Sequence, residues 1–262
     1  MAHDDAVQDF LKLAQIRPEH PRVEFLGRLV RAFMRFPYEN LTKIIRAHEC
    51  SDPIERLRLP STIFGEHVEF GAGGTCFSLT YYFRNILAQC GYVCDTVLCD
   101  RSYGPDTHCA LIACIDGARY LVDPGYLLEH PLVLPPRGIA RCVSPTGEVM
   151  LTRLGATSQY LLSTVAGGKT TLRYRLKDVP VGDEVFHAKW IDSFSWAQMR
   201  HVCITRLEGN GQIYMRDAHL RYSTAERRAQ EKIQHNYAHV VSHTFGIRAD
   251  IVERARNYIG DT

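Results

Sequence analysis

Across 262 residues no apolar run approaches the ~20 that a membrane-spanning helix needs. The amino terminus, Met-Ala-His-Asp-Asp, lacks the basic-then-apolar pattern of a secretory signal, so a cytoplasmic location is expected. Net charge is also scarce: 31 basic against 29 acidic residues leave +2, too little to draw a nucleic acid or another polyanion. The one local basic group, Arg221, Arg227 and Arg228, reads as a solvated helix face or as a place to meet a phosphate-bearing ligand. There is no internal repeat and no low-complexity tract, which excludes solenoids and collagen-like arrays. Serine-elbow, Walker and dinucleotide-binding glycine motifs are missing as well. The nine cysteines are odd in number and scattered, which suits a reducing compartment better than a disulfide framework. Neither the Cys90/Cys94 nor the Cys109/Cys114 spacing matches a tight zinc pair, so no metal site is expected.

What is present centres on Gly71-Ala72-Gly73-Gly74-Thr75-Cys76, a glycine-rich turn that runs into an amphipathic segment. After Cys76 the apolar positions Leu79, Phe83, Ile86, Leu87 and Cys90 follow helical spacing, and Gly91 is placed to end the element. Cys76 would therefore open a helix, where unpaired backbone N–H groups and the positive end of the macrodipole favour a thiolate over a thiol. Free cysteines are usually small core residues, so position alone does not make Cys76 a nucleophile.

The second informative stretch runs from Thr107-His108 to Asp123-Pro124-Gly125-Tyr126. Asp116-Gly117 between two apolar runs signals a two-residue β-hairpin. That register sets His108 opposite Gly125 and Ala110 opposite Asp123, which puts His108 and Asp123 on one face as diagonal neighbours, roughly 7–8 Å apart along the backbone and within side-chain reach. A three-residue loop would send them to opposite faces. A carboxylate-oriented histidine presented to a thiol is what nucleophilic acyl transfer requires.

Organisation follows from a change of period. Apolar spacing predicts helices over Val7–Ile16 and then through Val23, Leu26, Leu29, Val30, Phe33 and Met34, with Pro18 and Pro21 between them. From Tyr92 the period becomes two, and strands are predicted at Val93–Leu98, His108–Ile115, Tyr120–Asp123, Gln159–Thr164 and Thr170–Leu176, as in a barrel or strongly bent antiparallel sheet. Val185–Met199 reads as helical, with Trp190 and Trp196 as core residues. Asn210-Gly211 marks a further hairpin, and helical pattern resumes near Ala225 and runs to the end. The fold class expected is α+β.

Four stretches, in order, resemble the arylamine N-acetyltransferases: Phe36-Pro37-Tyr38-Glu39-Asn40-Leu41, Gly73-Gly74-Thr75-Cys76-Phe77, Thr107-His108, and Tyr120-Leu121-Val122-Asp123-Pro124-Gly125-Tyr126, with an echo at Phe245-Gly246-Ile247-Arg248. The resemblance implies a catalytic triad of Cys76, His108 and Asp123 around a cysteine-protease-like core. It implies a helical domain over residues 1–90 carrying the nucleophile, a β-barrel-like domain over 91–184 carrying the histidine and aspartate, and an α/β lid over 185–262. Tyr38, Gly74, Phe77, Thr107, Gly125 and Tyr126 would contact substrate. The co-substrate would be acetyl-CoA or another acyl thioester, with no permanently bound cofactor, and a small-molecule amine or hydroxylamine would accept the acyl group from a Cys76 thioester.

The chain departs from the family pattern at Ala72, Ser78 and Thr80, where relatives carry Arg, Glu and Asn, so Glu39 loses its usual arginine and must be solvated, neutralised or paired elsewhere. Pro124 and Leu127-Leu128 alter a segment that helps to hold coenzyme A in relatives, leaving room for a larger acyl chain, a carrier-bound donor or intramolecular amide formation. Two other readings stay open. A transglutaminase-like thiol hydrolase would use the same residues in the same order, and a catalytically degenerate binding protein would keep the fold alone.

Overall fold

The computed structural model describes residues 2–260. Helices α1 (Ala2–Leu13), α2 (Val23–Phe33), α3 (Leu41–Glu49), α4 (Pro60–Phe70) and α5 (Cys76–Gln89) make up the amino-terminal part, with a two-residue strand β1 (Tyr38–Glu39) after α2. The apolar stripe of α2 is buried as its spacing predicts, with Phe25, Leu26, Leu29, Val30 and Phe33 packed among Phe10 of α1 and Phe83, Ile86 and Leu87 of α5.

Eight antiparallel strands follow: β2 (Val93–Arg101), β3 (Gly104–Ile115), β4 (Ala118–Val122), β5 (Leu132–Val133), β6 (Ile139–Ser144), β7 (Gly147–Arg153), β8 (Gln159–Ala166) and β9 (Lys169–Pro180). They lie in the order β5-β4-β3-β2-β9-β8-β7-β6, and the two end strands approach each other, so the sheet is a nearly closed barrel. Strand β3 separates two cores. Ala110 and Ile112 face the barrel interior with Val97, Cys99, Leu162 and Tyr174, while Leu111, Ala113 and Ile115 face the helices. Burial on both sides explains why this strand reads as an almost unbroken apolar run.

The carboxy-terminal part opens with α6 (Asp183–Asp192) and continues through β10 (Cys203–Glu208), β11 (Gly211–Arg216), β12 (His219–Ser223) and β13 (Arg228–Lys232) to α7 (Tyr237–Phe245) and α8 (Ala249–Ile259). Its sheet has the order β1-β10-β11-β12-β13, so the strand after α2 forms one edge of it, and Leu41, Ile44 and Ile45 of α3 share its core with Val241, Phe245 and Val252. The architecture is α+β, and no helix among the described residues is long and apolar enough to cross a membrane.

Four local expectations are corrected. The chain after Ala225 first forms β13, an edge strand exposed along its whole length, whose Arg-Ala-Gln-Glu-Lys sequence carries no apolar alternation; helix begins only at Tyr237. The basic group Arg221, Arg227 and Arg228 consequently lies on a hairpin and not on a helix face. The Val185–Met199 helix ends at Asp192 and gives way to short 3-10 turns, Ser193–Ser195 and Ala197–Arg200, at the point where the buried Lys43 ammonium donates to the Ser193 carbonyl (3.0 Å) and hydroxyl (2.5 Å). Finally, the β10–β11 hairpin turns at Gly209-Asn210, one residue earlier than Asn210-Gly211, because Glu208 pairs with Gly211. Strands β6 and β7 fall outside the predicted set.

Candidate active site

The β3–β4 hairpin turns at Asp116-Gly117, both with positive φ (49° and 78°), and pairs Ile115 with Ala118 and Leu111 with Val122. Both φ values suit the type I′ turn whose twist matches a two-residue hairpin. The ladder ends at Val122, and Asp123 follows immediately. His108 Nε2 donates to Asp123 Oδ2 at 2.7 Å, with the two side chains 1% and 0% exposed. Asp123 accepts two further bonds, from the Tyr174 hydroxyl (2.6 Å) on Oδ2 and from the Tyr126 backbone N–H (2.9 Å) on Oδ1. The carboxylate is therefore fixed from three sides, and the remaining ring nitrogen of His108, Nδ1, is left for the thiol.

Cys76 is the first residue of α5 and is 7% exposed. Three things bring it against the imidazole: the helix start, the glycine turn, and the absence of a side chain at Gly125. A Cβ on Gly125 would lie 2.5 Å from Cys76 Cβ and 3.2 Å from His108 Cε1, so only glycine lets these three segments meet. The thiol is held well below the usual thiol range, first by a hydrogen bond from Cys109 and then by the His108 imidazolium, which together outweigh the cost of burial. His108 moves the other way. Burial opposes its charge, but Asp123 and the Cys76 thiolate outweigh burial and raise it to about 9. Cys99 and Cys109 are pushed well above the ordinary thiol value, Cys99 chiefly by burial and Cys109 by burial together with its hydrogen bond to Cys76. The two shifts favour a thiolate–imidazolium pair backed by a carboxylate.

The Phe36–Leu41 segment is the joint that seats the loop before Cys76. Gly74 N–H donates to the Pro37 carbonyl (3.2 Å), Glu39 N–H to the Gly74 carbonyl (2.9 Å), and a Cβ on Gly73 would strike the Pro37 carbonyl oxygen at 1.7 Å. Asn40 reaches the carboxy-terminal sheet, donating to the His201 carbonyl (2.7 Å) and accepting from Cys203 N–H (2.8 Å). Glu39 is fully buried and paired elsewhere: Arg58 approaches it at 3.4 Å, holds Glu66 at 2.5 Å, and donates to the Gly73 carbonyl at 2.8 Å. An arginine from the loop before α4 thus occupies the role that Ala72 cannot fill. The other two departures are also satisfied, since Ser78 donates back to the Thr75 carbonyl (3.0 Å) and Thr80 to the Cys109 carbonyl (3.5 Å).

A cleft of about 520 Å³ lies between the barrel and the carboxy-terminal sheet. Of the six expected substrate contacts, Tyr38, Gly125 and Tyr126 line it. Gly74, Phe77 and Thr107 do other work. Gly74 has no room for a Cβ beside Ser78 Oγ (2.3 Å), Phe77 is buried against Phe186 and Trp196, and Thr107 Oγ1 donates to the Gly104 carbonyl (2.7 Å) in the β2–β3 turn. Trp190 is core, whereas Trp196 is half-buried and lies, with Phe194, against the Lys43 ammonium at 5.7 and 4.7 Å. Burial lowers Lys43 to about 8 against the pull of Cys76. Arg58, Lys43 and Tyr174 escape a reading of the sequence. Only Tyr174 had a signal, its inward parity on a predicted strand, and that parity does not reveal what it faces.

An α+β chain that closes a helix-borne thiol onto a histidine and an aspartate from a barrel hairpin has a cysteine-protease-like core. Within that class, the model of the N-acetyltransferase family matches residues 22–254, and the chain belongs to the arylamine N-acetyltransferase family. Among curated proteins it is 26% identical over 221 residues to proansamycin X synthase from Amycolatopsis mediterranei (strain S699), covering 78% of this chain and 81% of that one. Among solved structures it superposes on the arylamine N-acetyltransferase of Mycobacterium abscessus with a TM-score of 0.84 at 16% identity, covering 99% of this chain and 97% of that one. The Salmonella typhimurium enzyme gives 0.78 at 19% (96% and 98% covered), and the Mycobacterium marinum enzyme in complex with CoA gives 0.78 at 16% (97% and 98%). Family and fold indicate an acetyltransferase.

Proposed function

We propose that the protein is an acyltransferase that works through a thioester on Cys76. In this reading residues 1–90 carry the nucleophile, 91–184 carry the histidine and aspartate, and 185–262 form a lid over the cleft. The Cys76 thiolate attacks the carbonyl of an acyl thioester, the His108 imidazolium gives its proton to the departing thiol, and the acyl group rests on Cys76. An amine or hydroxylamine then attacks; neutral His108 takes its proton, the carbon–sulfur bond breaks, and the thiolate–imidazolium pair is restored. Asp123, fixed by Tyr174 and Tyr126, keeps the imidazole in one orientation throughout.

The observation that carries this reading is the burial of Cys76, His108 and Asp123 at 7%, 1% and 0% exposure, with opposite shifts on the thiol and the imidazole. A site so poor in water favours transfer to an amine over hydrolysis. The cleft exceeds what an acetyl group fills, and the 26%-identical relative is named a synthase. The cleft has room for a CoA-type or carrier-bound thioester and for an acyl chain longer than acetyl, which an amine, including one on the same chain, would take.

Intact mass spectrometry with a panel of acyl thioesters, followed by peptide mapping, tests this. One acyl group should appear on Cys76, persist until amine is added, and be missing in Cys76→Ser. An adduct lost at the same rate with and without amine would establish a hydrolase, and no adduct with any donor would establish a protein that only binds.

A further inference from the structure

The cleft beside Gly125 carries an unusual charge. Arg101, Arg173, Arg216 and Arg221 line it against a single carboxylate, Glu129, and none of the four arginines forms an ion pair among the described residues. Arg254, Arg248 and Arg119 elsewhere do meet carboxylates, at Glu49, Asp250 and Asp178. Arg221 lies over the ring of Tyr214 at 4.4 Å, Arg101 over that of Tyr103 at 5.7 Å, and Arg173 Nε donates to Thr164 Oγ1 at 2.8 Å, so three of the four guanidiniums are oriented without being neutralised. Arg173 and Arg221 come from opposite walls, β9 of the barrel and β12 of the other sheet. Burial, Arg228 and Arg173 all depress Arg221, as expected where like charges are gathered and left without a counter-ion. A chain with a net charge of only +2 has concentrated uncompensated cations in a cleft lined by Gly125, the residue packed against Cys76.

We propose that Arg173 and Arg221, supported by Arg101 and Arg216, form a binding site for an oxyanion, a phosphate or a carboxylate, carried by the acyl thioester away from its reacting carbonyl. The inference rests on the thioester reading given above and adds the donor's charge and the residues that read it. A thioester whose carbonyl reaches Cys76 past Gly125 must lay the rest of its length along this cleft. An anion held at the arginine-lined end would then supply binding energy remote from the reacting atoms and use it to position the carbonyl. Guanidiniums suit the task because they bind planar and tetrahedral oxyanions through paired N–H donors. Two parts of a donor offer such a group, the phosphate of a pantetheine arm and a carboxylate on the acyl chain.

Calorimetry on the unreactive Cys76→Ser chain separates these sources with three ligands: an S-acyl pantetheine, its phosphopantetheine counterpart, and an S-acyl pantetheine whose acyl chain ends in a carboxylate. At least one charged ligand should bind about 10- to 100-fold more tightly than the neutral one, the range for one or two charge-assisted hydrogen bonds. The advantage should shrink with added salt, vanish in Arg173→Gln/Arg221→Gln, and survive in part in Arg173→Lys/Arg221→Lys. A gain with phosphate alone assigns the site to the pantetheine arm, and a gain with carboxylate alone assigns it to the acyl chain. Equal binding of all three ligands, no measurable binding of either charged ligand, or a salt-insensitive gain that the glutamine pair retains would overturn the proposal. Acylation of Cys76 in the unaltered chain by the neutral thioester is read separately: if it proceeds while the charged ligands gain nothing, the arginine site fails and the thioester reading stands.

Discussion

Two regions bring Cys76, His108 and Asp123 together, and they are built from different materials. The β3–β4 hairpin places His108 and Asp123 by backbone ladder: five residue pairs fix the register, and the side chains meet because the register leaves them no other face. The joint around Pro37, Gly73 and Gly74 places Cys76 with a few backbone bonds and one buried guanidinium shared among Glu39, Glu66 and the Gly73 carbonyl. The ladder spreads its stability over many weak contacts. The joint concentrates it in Arg58, so a single substitution there should do what no single change in the hairpin strands can.

Arg58→Met should accordingly have the largest effect. It leaves the carboxylate of Glu39 buried without its cation, which costs about 3–5 kcal/mol in comparable sites, and it frees the loop before Cys76. Urea denaturation should show a loss of that size together with loss of Cys76 acylation, and adding Glu39→Gln should restore part of the stability. Next comes Gly125→Ala, whose methyl group would occupy space already filled by Cys76. Displacing the thiol from His108 by about 1 Å should lower single-turnover acylation about 100-fold while the thermal midpoint moves little by comparison. Tyr174→Phe removes one of the three donors on Asp123 and should cost about 1 kcal/mol in acylation, roughly a five-fold drop, with little change in donor binding.

The smallest effect expected is on stability against pH, and its form is diagnostic. His108, raised to about 9, stabilises the fold fully below the unfolded value of ~6.5, and that contribution fades as pH climbs through 9. Cys76, held low, contributes above the unfolded thiol value of ~8.5, and its contribution is lost as pH falls through the folded one. Between ~6.5 and ~8.5 the folded pair holds one proton on histidine and the unfolded pair holds one on cysteine, so the two slopes cancel. Unfolding free energies should rise with pH up to ~6.5 and then run flat from this pair, and Cys76→Ser should tilt that plateau.

The same contrast decides what could be read from the sequence. A hairpin of two-residue turn and period-two strands is local, so parity alone carries His108 to Asp123 across 15 residues. The helix that opens at Cys76 is equally local, marked by the glycine turn before it and apolar spacing after it. Arg58 has no such mark. Its contact with Gly73 depends on how α4 packs, and nothing in the spacing of a surface-type residue announces that it will be 3% exposed. Strand β13 failed for a related reason, because an exposed edge strand has neither face selected by burial and so shows no period. The arginines of the cleft lie on four separate strands, and only the closing of one sheet over the other gathers them.

The ionisation of the reacting pair is the most direct test of the central claim, that the hairpin holds His108 as an imidazolium against a Cys76 thiolate. The difference in ultraviolet thiolate absorbance between the unaltered chain and Cys76→Ser, followed across pH, reads it without any substrate. One thiolate should be present at neutral pH and persist well below the ordinary thiol range, and Asp123→Asn should move its appearance to higher pH. Absorbance that emerges only as pH passes ~8.5, unchanged by Asp123→Asn, would show an ordinary buried cysteine and contradict the claim.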